Sequence, residues 1–255
     1  MKWPYAAAVL ILLLWGAIKP PLETKLHQLE DISNPPLLVH QAWPATSQLS
    51  YGFSIALFSG FRGFVANALW LEVHTAWEHQ NWTRLYSLVR TVTSLQPESV
   101  LFWDIGAWHF GWNASLAAQW RETSNPARAE VESMHWIEKS RTLLEESLAI
   151  HPNSTRLLLA MADLHWHRLR DYRAAALFYE RAAAQPNAPA YAKRLAALAY
   201  EQAGDLQIAY QHFQKIWQLS KEHPARSPDH WELIQTKLIE LEEKLDLPAT
   251  HPKLD

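Results

Sequence analysis

Apolar positions follow two kinds of pattern along this chain. Residues 1–18 (MKWPYAAAVLILLLWGAI) and 51–73 are apolar almost without interruption, the second run passing through Gly60-Phe61-Arg62-Gly63-Phe64-Val65-Ala66-Asn67-Ala68-Leu69-Trp70. From there to about Leu247 apolar residues recur three and four apart among Glu, Lys, Arg and His, the spacing of one helical face. With only seven Gly and few runs of β-branched residues, the pattern predicts an all-α fold, because helix interiors penalise Gly and favour unbranched side chains.

The first run has an apolar stretch, residues 3–18, of roughly 16 residues, or about 24 Å as helix against a hydrocarbon core of about 30 Å. Trp3, Tyr5 and Trp15 stand where an interfacial aromatic belt would lie, and Lys2 and Lys19 can reach headgroups. A cleavage site at Trp15-Gly16-Ala17 would place a Trp where a small residue is wanted. Residues 1–18 are therefore expected to be an uncleaved signal anchor, a single transmembrane helix. The body is expected on the outer, periplasmic side of a bacterial inner membrane, the default for such an anchor. The second run carries Arg62 near its middle, which costs about 2.5–3.5 kcal/mol in a span, and is expected to lead into a packed helix. Between the runs, residues 19–49 hold Pro20, Pro21, Pro35, Pro36 and Pro44 and read as an extended spacer before a body over 50–255.

The body repeats. Asp171-Tyr172-Arg173-Ala174-Ala175-Ala176-Leu177-Phe178-Tyr179 returns as Asp205-Leu206-Gln207-Ile208-Ala209-Tyr210-Gln211-His212-Phe213, with Tyr172/Leu206, Ala175/Ala209 and Tyr179/Phe213 each 34 residues apart. The same phase puts Asn81-Trp82 in an equivalent turn, Pro97 after the helix that follows it, and Trp103 and Ala107 at the large and small positions of the next first helix. In these residues the chain resembles the tetratricopeptide repeats, in which two helices meet at a short turn and a Pro often follows the second. It departs from that pattern at Leu85 and Ser140, where Ala is usual. The anchor, the Gly60–Trp70 stretch and Ala107-Trp108 with Trp112-Asn113-Ala114-Ser115 together resemble N-terminally membrane-anchored bacterial proteins of this kind. The resemblance implies a helical-hairpin solenoid of about four repeats, at 66–99, 100–153, 156–189 and 190–223, closed by a capping helix over 229–247. The second repeat is expected to carry an insertion at 115–133, with Asn125-Pro126 as breaker, and its second helix from about His135.

In the family, one face of the first helices lines a concave groove. Carried over position by position, that face selects Asn67, Trp70, His74 and Trp77, then Asp104 and Trp108, then Leu157, Leu164 and His167, and finally Tyr191, Arg194 and Glu201. The expected occupant is a protein or peptide. Asp104 and Arg194 would fix its polar ends, and Trp70 and Trp108 would offer apolar pockets.

Composition narrows the chemistry further. The balance of 23 Lys and Arg against 26 Asp and Glu leaves a net charge of −3 with no basic cluster, so nucleic acid is not expected. Zero Cys excludes disulfides, thiolate metal sites and a thiol nucleophile. His74 and Glu78, four apart, share a helix face but have no further ligands in sequence, and His165 and His167, two apart, point roughly 200° from each other; no metal is expected. No phosphate-binding Gly loop, Gly-x-Ser-x-Gly elbow or His-Glu-x-x-His occurs. A non-enzymatic, cofactor-free scaffold that assembles a cell-envelope complex is the leading expectation. An exported envelope protein that binds glycan through exposed Trp faces, or serves an enzyme as accessory subunit, is the alternative.

Overall fold

The computed structural model describes residues 61–121, 125–222 and 228–251. The expected anchor over 1–18 and spacer over 19–49 lie outside them. Every regular element among the described residues is a helix, as the pattern requires of an all-α chain. None of these helices is long and apolar enough to cross a membrane. The chain divides into two compact units, Met1–Phe102 and Trp103–Asp255.

In the first unit, α1 (Arg62–Glu78) packs on α2 (Trp82–Leu95). Ala66 and Val92 form a small core with Phe102, against which Trp70 and Leu69 lean. Arg62, the residue that argued against a span, has a local role. Its Nε donates to the Leu95 carbonyl at 3.1 Å, and the Ser94 carbonyl lies 3.5 Å from Nη2. A guanidinium at the last carbonyls of α2 meets unpaired acceptors and the negative end of the helix dipole.

The second unit is a succession of neighbours. After α3 (Val100–Trp108) come a π-helical segment π1 (His109–Ala114), α4 (Ser115–Arg121), α5 (Pro126–Ile150), α6 (Thr155–Leu164), a second π-helical segment π2 (His165–Leu169), α7 (Tyr172–Ala183), α8 (Tyr191–Gln202), α9 (Leu206–Glu222) and α10 (Pro228–Lys244). From α4 onward each α-helix packs on the next in sequence. Small residues set the spacing. Ala175, Ala176, Ala196, Ala197 and Ala209 are fully buried or nearly so, and Tyr179, Phe213, Leu238 and Leu241 fill the space around them. The segment expected as an insertion is helical over Ser115–Arg121 and again from Pro126. Asn125 accepts from the Arg128 amide at 3.1 Å with Pro126 beginning α5, so the breaker is a helix start and the second helix begins nine residues before His135.

The hairpin turns share one geometry. Gln80, Arg170 and Gly204 have φ of 51°, 56° and 81°, and each precedes an Asn or Asp: Asn81, Asp171 and Asp205. Asn81 and Asp171 accept from the amides of Arg84 and Ala174 at 3.2 and 3.0 Å, capping the helix that follows. Asn81 N and Asp205 N reach back five residues, to the carbonyls of Ala76 and Tyr200. Asp171 N reaches back six, to His165, because π2 adds a residue to that arm.

At the C-terminal end, α10 turns a buried carboxylate onto α9. Glu242 accepts from the Tyr210 hydroxyl at 3.0 Å, from the Thr250 amide at 3.2 Å and from its hydroxyl, and from His251 Nδ1 at 2.7 Å. Burial alone would raise the Glu242 pKa; the hydrogen bonds from Thr250, His251 and Tyr210 outweigh it and hold the group down at about 2. Glu201 on α8 is likewise covered, its Oε1 3.2 Å from both Lys237 and Lys244 of α10.

Two outcomes follow from these features. A Cβ added at Gly204 meets nothing within 4 Å, so Gly204→Ala should cost about 1–2 kcal/mol through backbone conformation alone, read by chemical denaturation; an unchanged midpoint would show that the turn relaxes freely. Glu242 titrates lower when folded than its ordinary value of 4.5, so its contribution is complete above that value. It should be lost as pH falls from about 4.5 towards about 2, and Glu242→Gln should flatten the melting temperature across that window.

Candidate functional site

The second unit carries a cleft of about 390 Å³ whose walls come from three successive arms. From α3 and π1 come Asp104, Ala107, Trp108 and Trp112; from α6 and π2 come Arg156, Leu159, Ala160, Asp163 and His167; Tyr191 opens α8, and Leu144 of α5 closes the cleft from behind. An all-helical unit can build such a wall only if its first arms lie side by side, and the two π segments adjust what those arms present.

A π segment is wider than an α-helix and needs outside support. At π1 the support is Ser140 of α5, buried, whose hydroxyl donates to the Ala107 carbonyl at 2.7 Å where α3 passes into π1. An Ala at this position could not make that hydrogen bond. Gly111 lets the arm come this close: a Cβ on it would lie 2.9 Å from both Leu164 Cδ1 and Ser140 Oγ. Arg168 of π2 donates from Nη2 to Ser115 Oγ at 2.9 Å, joining the second arm to the end of the first. These contacts fix the segments that carry Trp112 and His167.

The electrostatics are uneven across the cleft. Arg156 Nε meets Asp104 Oδ2 at 2.5 Å, an ion pair at the rim. Asp163 lies deeper. Burial raises its pKa; a hydrogen bond from the Tyr179 hydroxyl to Oδ1, at 2.5 Å, and the nearby His167 oppose the rise, and Asp104 adds to it. Tyr179 is pushed up, by burial first and then by that carboxylate, and remains a neutral donor. No Ser, Thr or Cys lines the cleft. Two carboxylates, a guanidinium, an imidazole, two indoles and a phenol are suited to gripping a charged or flat group.

Of the residues selected from sequence, the cleft brings together Asp104, Trp108, His167 and Tyr191. Trp108 is 48% exposed. Leu157 and Leu164 are fully buried and belong to the packing between arms, not to an open face. The polar series Arg156, Asp163 and His167, spaced seven and four apart, occupies the open face of α6 and π2. That spacing on an otherwise apolar helix was the available signal; the carried-over face differs from it by one residue at Leu157 and Leu164 and coincides with it at His167. Glu201 faces the cap, held by its two lysines. Arg194 is half-buried and does not line the cleft.

In the first unit, the Trp70 ring lies tilted at 39° to that of Phe102 with centroids 4.7 Å apart, so Trp70 packs partly buried against the small core. His74 lies 5.4 Å from the Trp77 ring, and Asn67 is exposed. His74 Nε2 and Glu78 Oε1 pair at 3.3 Å on the surface. Among the described residues no group of three or more His, Asp or Glu is placed to hold a metal ion. His165 stacks on Phe178 while His167 enters the cleft, so the two rings serve different neighbours.

With this geometry in place, comparison with known proteins adds no assignment: no family model matches the chain, and no curated protein is significantly similar to it.

Proposed function

We propose that this chain is a non-enzymatic scaffold of the tetratricopeptide type. Its repeats lie at about 66–99, 100–153, 156–189 and 190–223 and its cap at 229–247. It is anchored in a bacterial inner membrane by residues 1–18 and holds a protein or peptide partner during assembly of an envelope complex. The observation that carries this reading is the cleft itself, drawn from α3 and π1, α6 and π2, and α8, the first arms of three successive hairpins. A hairpin array offers a partner such a composite wall, since neighbouring arms present their outer faces side by side. The recurring left-handed turn at Arg170 and Gly204, 34 residues apart, supports the repeat phase. The glycan reading keeps one point in its favour: Trp108, Trp112 and Tyr191 beside polar groups also suit stacking on sugar rings.

Crosslinking of the full chain in cells, followed by partner titrations, tests the scaffold. Trp108→Ala should weaken partner binding by about 1–3 kcal/mol with little loss of stability, as for an exposed anchor residue. Phe213, 0% exposed, should instead cost about 3–5 kcal/mol of folding when cut to Ala. Equal melting temperatures for the two variants would place Trp108 in the core. Quenching by peptidoglycan fragments, with no protein recovered, would favour glycan.

The anchor has its own test. Removing residues 1–18 should release a helical, monomer-sized protein from membranes, and retention after high-salt and carbonate washing would move the membrane contact elsewhere.

A further inference from the structure

The cleft's charges do not balance, and the imbalance has a direction. Arg156 is the only Lys or Arg lining it, and its Nε is spent on Asp104 at 2.5 Å. Asp163 receives a hydrogen bond from Tyr179 on Oδ1, but a phenol supplies no charge. Among the described residues its other oxygen has no hydrogen-bond partner. Asp163 is half-buried, with the His167 imidazole nearby and no Lys or Arg paired to it among the described residues; such a carboxylate favours an arriving cation and repels an arriving anion. The lining agrees with it: Trp108, Trp112 and Tyr191 border the cleft, and an aromatic face, which carries the negative part of the ring quadrupole, attracts a cation and disfavours a carboxylate. A space of about 390 Å³ admits one long side chain rather than a folded element.

Resting on the reading of this cleft as the partner groove, we infer that it anchors a peptide partner by a basic side chain, the cationic head against Asp163 and the stem between Trp108, Trp112 and Tyr191. Arginine fits better than lysine, because a planar guanidinium can stack on an indole while bonding a carboxylate. Arg156 acts as the internal competitor: by pairing with Asp104 it leaves Asp163 as the open acceptor and sets a positive charge at the rim. The rise in the Asp163 pKa that burial causes is what a bound cation would reverse.

Calorimetric titration of the full chain in mild detergent tests this with four blocked tripeptides, Gly-X-Gly, where X is arginine, citrulline (the neutral counterpart of arginine), lysine or glutamate. The arginine peptide should bind most tightly, lysine next, citrulline at least tenfold more weakly than arginine, and glutamate not measurably. Asp163→Asn should erase the difference between arginine and citrulline, Trp108→Ala should weaken the arginine peptide about tenfold, and Arg156→Ala should tighten it severalfold. Equal binding of arginine and citrulline, no binding of either, or a folded Asp163→Asn variant that still discriminates would overturn the inference. If Asp163→Asn does not fold, Arg156→Ala decides: unchanged or weaker arginine binding counts against it. The two readings fail separately. A crosslinked partner lost with Trp108→Ala but indifferent to Asp163 and Arg156 keeps the groove and removes the cationic anchor; a partner indifferent to Trp108 removes the groove.

Discussion

The second unit depends on close approach at alanine. Where Ala175, Ala176, Ala196, Ala197 and Ala209 face one another, no side chain longer than a methyl holds the backbones apart, and the helices come near enough for Tyr179 and Phe213 to be fully enclosed. The burial of those rings, with Leu238 and Leu241, supplies the driving force, at about 25 cal/mol per Å² of apolar surface. Because each helix meets the next in sequence, order along the chain becomes order in space. The first arms thus form a wall without any long-range pairing having to be specified. The cleft is a by-product of this arrangement, since its outward positions are the ones the alanine seam does not use.

Much of this was legible in the sequence because it is carried by residues with local physical consequences. Asn81 and Asp171 cap helices through their own side chains, so the turns could be placed from residue type and phase. Trp108 and Tyr191 were selected by carrying over the repeat family's groove face, and both line the cleft. What escaped notice turned on tertiary partners. The π segments leave no mark in composition: Gly111 reads as an ordinary helix-weakening residue until Leu164 and Ser140 are seen 2.9 Å from where its Cβ would lie. Ser140 reads as a departure from the repeat, and its hydrogen bond to the Ala107 carbonyl is a tertiary contact.

Leu157 and Leu164 are fully buried, where the carried-over face expected an open wall. Carrying a family's face over position by position needs the phase to be right, since a shift of one residue moves a side chain by about 100° around the helix; both leucines precede π2, in regular α-helix. The polarity of Arg156, Asp163 and His167 marked the correct face. Similarly, Asn125-Pro126 was recognised as a break, but a break that caps and starts a helix differs from one that ends order, and only the Arg128 amide meeting Asn125 distinguishes the two. Glu201 was selected by the carried-over face, whereas Lys237 and Lys244, which hold it, lie on an element whose docking no local pattern encodes.

The extra residue in π2 is accommodated inside the arm and not in the turn, since Asp171 reaches back six residues where Asn81 and Asp205 reach back five. Single-residue insertions usually ruin a helical array by rotating everything downstream. Here the wider coil confines the rotation to one stretch, and the alanine seam resumes in register at Ala175. Such a fold can gain or lose residues one at a time along the wall that lines its cleft while its framework stays fixed, which allows a fine adjustment of cleft shape that substitution alone does not provide.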